Sequence, residues 1–162
     1  DLVFVTVSHE VSNGLTVCIS EEHDIVYREK ATNSSGATKS EEAPKDFDFS
    51  FDINPDPVLL FRYSALTFNG HRIHYDYPFC TETEGYDGLV VHGPLLATLL
   101  LDGLANHKPD TVVQNFEFRA MAPVSDNMKF QVKGIEREPG EYSLWIERED
   151  GTIAMNAKAR VR

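Results

Sequence analysis

The sequence predicts an α+β fold in which an antiparallel sheet wraps one buried helix. Three observations carry that expectation. Residues 95–105 read LLATLLLDGLA, apolar on nearly every face, the pattern of a helix enclosed by other structure. Four strand-like segments follow at 111–122, 127–137, 142–149 and 152–161, with turn residues between them. A fifth, 47–53 (FDFSFDI), alternates apolar and polar ahead of the helix, as a half-buried strand does.

In chain order, residues 2–8 and 15–27 are rich in Val, Ile and Thr, with Asn13-Gly14 between them, which predicts a hairpin. A lone hairpin is marginal in water, so this pair needs further strands from elsewhere. Residues 1–29 therefore read as the end of an incomplete preceding sheet domain. Residues 30–46 (KATNSSGATKSEEAPKD) hold no large apolar side chain and read as a solvated linker. The main domain is then 47–162.

Asn54-Pro-Asp-Pro ends the first strand of that domain, and Pro57 suits the first turn of a short helix through Ser64. Thr67–Gly70 predicts a turn. Asn69 is placed to cap a short helix reaching Asp76, on which His71 and His74 share a face. Residues 80–88 read as a loop. Gly93-Pro94 predicts the start of the apolar helix, and Asn106 and Pro109 its end. Turn residues at 125–127, 139–140 and 150–151 predict hairpins, hence a meander of the last four strands. A strand, a buried helix and a meander wrapped on it make the architecture known as the hot dog fold.

The composition suits one soluble globular domain: 162 residues, 41% hydrophobic and 25% charged. No apolar run reaches the ~20 residues that a membrane-crossing helix needs. A formal net charge of -11 argues against nucleic acid and anionic membrane surfaces as partners. It leaves open an anionic small ligand, which responds to local charge. Cys18 and Cys80 have no framework spacing and read as free thiols in a reducing compartment, cytoplasmic or mitochondrial. The chain opens within a strand, with no signal-peptide or transit pattern.

The chemistry concentrates in 62–76, RYSALTFNGHRIHYD, beside the apolar helix. Polar side chains near a buried helix are costly unless paired or used. His74 is the candidate for proton transfer near neutral pH. It has an ordinary alternative as a packed structural histidine, as Asn69 does as a helix cap. His71 and His74 alone do not make a metal site, since no third or fourth ligand stands at a recognisable spacing.

RYSALTFNGHRIHYD followed by EGYDGLVVHGPL resembles the MaoC-type acyl-thioester hydratase/dehydratase family. The likeness is strongest to the branch with mesaconyl-CoA hydratase, itaconyl-CoA hydratase and the mitochondrial 3-hydroxyacyl-thioester dehydratase. It covers roughly 47–162 as one hot dog domain, and 1–28 resembles the end of the preceding repeat in double-domain members. The resemblance implies a hydro-lyase acting on an acyl-CoA, needing no metal or redox cofactor and working as a homodimer or larger assembly. The family's catalytic His maps onto His74. Its catalytic Asp, five residues earlier, maps onto Asn69, which can orient water but cannot take its proton.

Adding water to an α,β-unsaturated thioester requires a base, a donor for the enolate oxygen and a proton for the α-carbon. On this reading His74 moves the proton, Asn69 orients the water and the Gly93 amide at the helix start serves the oxygen. Arg62 or Arg72 would grip the distal carboxylate of a C5 dicarboxylic acyl-CoA, though each also reads as an ordinary surface or ion-pair residue. His92 and Tyr75 complete the candidate substrate-binding set, with ordinary alternatives as a histidine bonded to its own loop and a packed tyrosine. Three alternatives share this fold: a 3-hydroxyacyl-thioester dehydratase of fatty acid synthesis, a thioesterase using Asp76 or Glu84, and a non-catalytic half that only holds the acyl-CoA.

Overall fold

A computed structural model describes residues 2–28 and 41–162. The chain divides into two compact units, residues 1–36 and 37–162. In the first, β1 (Leu2–Asn13) and β2 (Thr16–Arg28) pair antiparallel as a two-stranded ribbon. The turn sits one residue later than Asn13-Gly14 suggested: Gly14 and Leu15 are its central pair, with Gly14 at φ 65. A positive φ at the first central position is the requirement that glycine meets without strain in a II′ turn.

The second unit holds a five-stranded antiparallel sheet. In chain order its elements are β3 (Phe49–Ile53), α1 (Pro57–Thr67), a 3-10 turn at Arg72–His74, a π turn at Phe79–Thr83, α2 (Gly93–His107), β4 (Val113–Ala120), β5 (Phe130–Glu138), β6 (Glu141–Arg148) and β7 (Ile153–Val161). Asp56 caps α1, its Oδ1 accepting the Leu59 amide at 2.7 Å, with Pro57 following. The helix runs three residues beyond the predicted Ser64. It ends where Phe68 takes a left-handed conformation (φ 53) and its amide turns back to Ala65 and Ser64.

The sheet order is β3-β5-β6-β7-β4. This corrects the predicted meander. The turns at 139–140 and 150–151 do join β5–β6 and β6–β7, but the segment around 125–127 makes no hairpin. β4 pairs with β7 at one edge, and the chain then crosses to insert β5 beside β3. The cause lies in residues 124–126, which bond to the strand-like stretch leading into α2. The Val91 amide donates to Val124 O, the Asp126 amide to Leu89 O, and the Leu89 amide to Asp126 Oδ1, all at 2.8 Å.

α2 packs on the sheet against β3, β5, β6 and β7. Leu95, Leu96, Ala97, Leu100, Gly103 and Leu104 are buried, meeting a core that includes Val132, Leu144, Ile146 and Met155. At Gly103 a Cβ would run into Val132, so the missing side chain sets how closely helix and sheet approach. The helix is not enclosed all round, as its composition suggested. Pro94, Thr98, Asp102 and Ala105 form an exposed stripe, because one twisted sheet covers only one side of a rod.

The predicted linker, 30–46, lies outside the described residues up to position 40. Its remaining part is built into the second unit. The Ile153 amide donates to Glu41 O and the Ala43 amide to Gly151 O, at 2.8 and 2.9 Å. These backbone bonds set Glu41–Ala43 against the β6–β7 turn, a ladder that polar composition did not foretell.

Candidate active site

The predicted helix from Asn69 to Asp76 is a single 3-10 turn, and Asn69 does not cap it. Its Oδ1 instead accepts the His71 amide at 3.0 Å, closing a local side-chain turn. Asp76 stands just after the turn and bonds to residues before and after itself. Its Oδ2 takes both Arg72 Nε (2.9 Å) and Nη2 (2.7 Å), and its Oδ1 takes the Phe79 amide (3.1 Å). These bonds, those from Arg72 foremost, hold the Asp76 carboxyl below the usual carboxylate range.

His74 is buried, and its Nδ1 lies 2.6 Å from Val90 O. A carbonyl only accepts, so Nδ1 carries the proton and a neutral His74 keeps its lone pair on Nε2. Nε2 has no protein partner among the described residues. Burial lowers the His74 pKa from its ordinary 6.5 against the opposing effect of the Val90 bond, with the nearby His71 adding to the fall. The imidazole is therefore neutral at pH 7, with a free basic nitrogen.

Val90 itself is held from both sides. Its amide donates to Ile73 O at 3.0 Å, and its neighbours Leu89 and Val91 are bonded to Asp126 and Val124. Two residues on stands His92, the N-cap of α2. Its ring stacks on that of His74, with centroids 3.7 Å apart and planes within 17°. The stack sets His74 beside the first turn of α2. Gly93 opens that turn and its amide has no acceptor among the described residues, as helix geometry dictates for a first-turn N–H. A Cβ built at Gly93 would meet nothing within 4 Å, so the space over this backbone is open. A depression of about 300 Å³ lies there, lined by Val90, Val91, Gly93, Leu96, Met121 and Pro123 among others. Its walls are largely apolar.

The remaining expected site residues are placed differently. His92, expected to touch substrate, is enclosed at 1% exposure. Its Nε2 lies 2.8 Å from Ser64 Oγ, and its pKa is pushed down to about 4 by burial and then by His74. The Tyr75 hydroxyl is committed to Gly70 O at 2.8 Å. Arg72 is committed to Asp76 and lies over the Phe79 ring, 4.1 Å from its centroid. Arg62 is exposed on α1, with no carboxylate partner among the described residues. Sequence reasoning missed Ser64 and Asp126. Nothing in local spacing marks them, since their partners stand 28 and 37 residues away.

Residues 1–126 match the family described as hydroxyacyl-thioester dehydratase type 2. The chain belongs to that family. Among relatives of this chain, the mesaconyl-C(4)-CoA hydratase of Chloroflexus aurantiacus is 44% identical over 157 residues, covering 96% of this chain and 55% of that protein. The mitochondrial hydroxyacyl-thioester dehydratase type 2 of Schizosaccharomyces pombe is 33% identical over 135 residues, covering 82% and 43%. The chain thus spans about half the length of the curated relatives it matches. Among solved structures, HtdX of Mycobacterium tuberculosis superposes with a TM-score of 0.70 at 21% identity, covering 97% of this chain and 61% of that one. The (R)-hydratase from A. caviae gives 0.62 at 20% identity, covering 70% and 92%. These two likenesses bear on the fold, which is the hot dog fold expected from the order of elements.

Proposed function

We propose that this chain carries the catalytic centre of an acyl-CoA hydratase/dehydratase, which adds or removes water across an α,β-unsaturated thioester. One observation supports it above the others. His74, a neutral imidazole with a free Nε2, stacks on His92, the residue just before Gly93 and its open amide. In the hydration direction His74 Nε2 takes a proton from water as the oxygen attacks the β-carbon. Asn69, its Oδ1 occupied by the His71 amide, donates through its side-chain NH₂ to the water oxygen. The charge that gathers on the thioester oxygen is met by the Gly93 N–H and the positive end of α2. The proton on His74 then passes to the α-carbon, which restores the base. These steps use protein groups, water and the thioester.

The acyl group we favour is a C5 dicarboxylic one, of mesaconyl or itaconyl type. The 44% identity to a mesaconyl-C(4)-CoA hydratase supports that choice. With Arg72 tied to Asp76, Arg62 is the cation left for a distal carboxylate. Rates with mesaconyl-CoA, itaconyl-CoA and crotonyl-CoA decide it, and equal turnover of all three refutes the dicarboxylate preference. A thiol reagent reports free CoA, which a hydratase does not release. Hydrolysis through Asp76 is disfavoured because both its oxygens are bound within the turn; Glu84, the other carboxylate expected for it, is exposed.

We further infer that the working protein joins two hot dog units side by side, in a homodimer or within a longer chain. The exposed stripe of α2 and the edge strand β4, with Phe118 at 51% exposure, support an additional packing surface. Two free cysteines suit a reducing compartment, cytoplasm or mitochondrial matrix. The charge of -11 speaks against nucleic acid and anionic membranes as partners.

A further inference from the structure

Ser64 and His92 take no part in the proton transfers above, yet they form the wall behind the proposed base. The His92 ring lies flat on His74 at 3.7 Å, and its Nε2 is bonded to Ser64 Oγ at 2.8 Å from the middle of α1. Tyr63 meets the same ring edge-on, centroids 4.8 Å apart. Ser64 and His92 are 5% and 1% exposed, so neither is open to a ligand. His92 Nδ1 is enclosed, with no hydrogen-bond partner among the described residues. A buried polar atom left unpaired costs free energy that an apolar side chain in the same place would not. An imidazole retained there at that cost, against the face of the base, points to a task other than filling space.

That task is orientation. The χ2 torsion of histidine is broad and roughly two-fold, so an unrestrained ring exchanges its two edges readily. In His74 such a flip would take Nδ1 away from Val90 O and turn the free Nε2 out of line. A flat, immobile neighbour blocks it, and the Ser64 hydroxyl is what immobilises that neighbour. We propose that Ser64 and His92 are positioning residues: Ser64, through His92, locks the His74 ring with Nδ1–H on Val90 and Nε2 free. This rests on the reading of His74 as the base.

The test uses the full chain and two independent readouts. Nitrogen NMR of the ring at neutral pH reports the His74 tautomer without any need for turnover. In the wild type a single form with the proton on Nδ1 is expected. In Ser64→Ala a mixture of both tautomers is expected, with kcat down by about ten-fold or more and KM within about two-fold, since misplacement of about 1 Å costs up to 10²-fold. Ser64→Thr, which keeps the hydroxyl, restores both readings. His92→Phe, which keeps a flat ring, retains more kcat than His92→Ala. The proposal is overturned if Ser64→Ala leaves the tautomer and kcat as in the wild type, or if Ser64→Thr behaves as Ser64→Ala does. Should the wild type hydrate no thioester while Ser64→Ala still mixes the tautomers, the positioning role stands and the reaction assigned above is what fails.

Discussion

Gly93→Ala is the substitution that most directly separates the proposed chemistry from the fold. A Cβ at this position meets no atom within 4 Å, and the residue lies in the first turn of α2 with an ordinary helical backbone. Its chain neighbour Pro94 opposes the methyl, because a proline ring disfavours helical backbone at a preceding residue that carries a Cβ. Gly→Ala also removes freedom from the unfolded chain, worth about 0.4–1 kcal/mol, and the two effects oppose each other. Every Cα–Cβ bond in a helix tilts toward the N-terminus, so the new methyl leans into the region that the free amide faces. A thioester oxygen seeking that amide is then held off. Loss of one such donor costs on the order of 2.7–4 kcal/mol of barrier, about 10²–10³ in rate, and this is the ceiling for partial obstruction. We expect kcat for hydration, followed by loss of enoyl-thioester absorbance, to fall between about ten-fold and that ceiling. With the two effects opposed, the net change is within about 1 kcal/mol and the melting temperature should stay within about 4 °C of the wild type. A Gly93→Ala protein that melts as the wild type does and turns over within about three-fold of it would refute the placement of the oxyanion at this amide.

The remaining predictions concern the two histidines. His74→Asn removes the only proton-transfer group proposed and should lower kcat by about 10²–10⁴ in the same assay. Because the His74 pKa is lowered, the acid limb of kcat/KM should lie below pH 6.5, with activity rising as pH rises through that limb and level by about pH 7. An acid limb above 6.5 would exclude His74 as a buried neutral base. His92 adds a second pH effect, on stability. Its folded pKa is about 4, so the unfolded chain binds its proton first as pH falls below 6.5. Its contribution is fully present above 6.5, declines toward pH 4 and is gone below, on the order of 3 kcal/mol in all. Urea unfolding of wild type and His92→Phe at pH 7 and 4.5 should show a smaller acid loss in the variant.

The sequence by itself determined which elements form and what chemistry they can hold. Proline at the head of each helix, β-branched runs, and glycine in the turns at 14, 140 and 151 act through neighbouring backbone, so they are legible locally. So was the concentration of titratable groups at 69–76 beside an apolar helix. Only the tertiary structure decided the rest, because it depends on partners distant in the chain. β4 paired with β7 instead of β5 because Val124 and Asp126 are drawn to the 89–91 stretch, a choice that no turn signal encodes. Asn69 became a local turn because its Oδ1 took the His71 amide, and Asp76 closed the segment by accepting the Phe79 amide that opens the next turn. His92 changed from an expected substrate contact to a buried ring because Ser64, on a separate helix, offered it a hydroxyl. Burial and long-range hydrogen bonding are properties of the assembled core, and they fixed which of the candidate side chains are enclosed and which are committed to other partners.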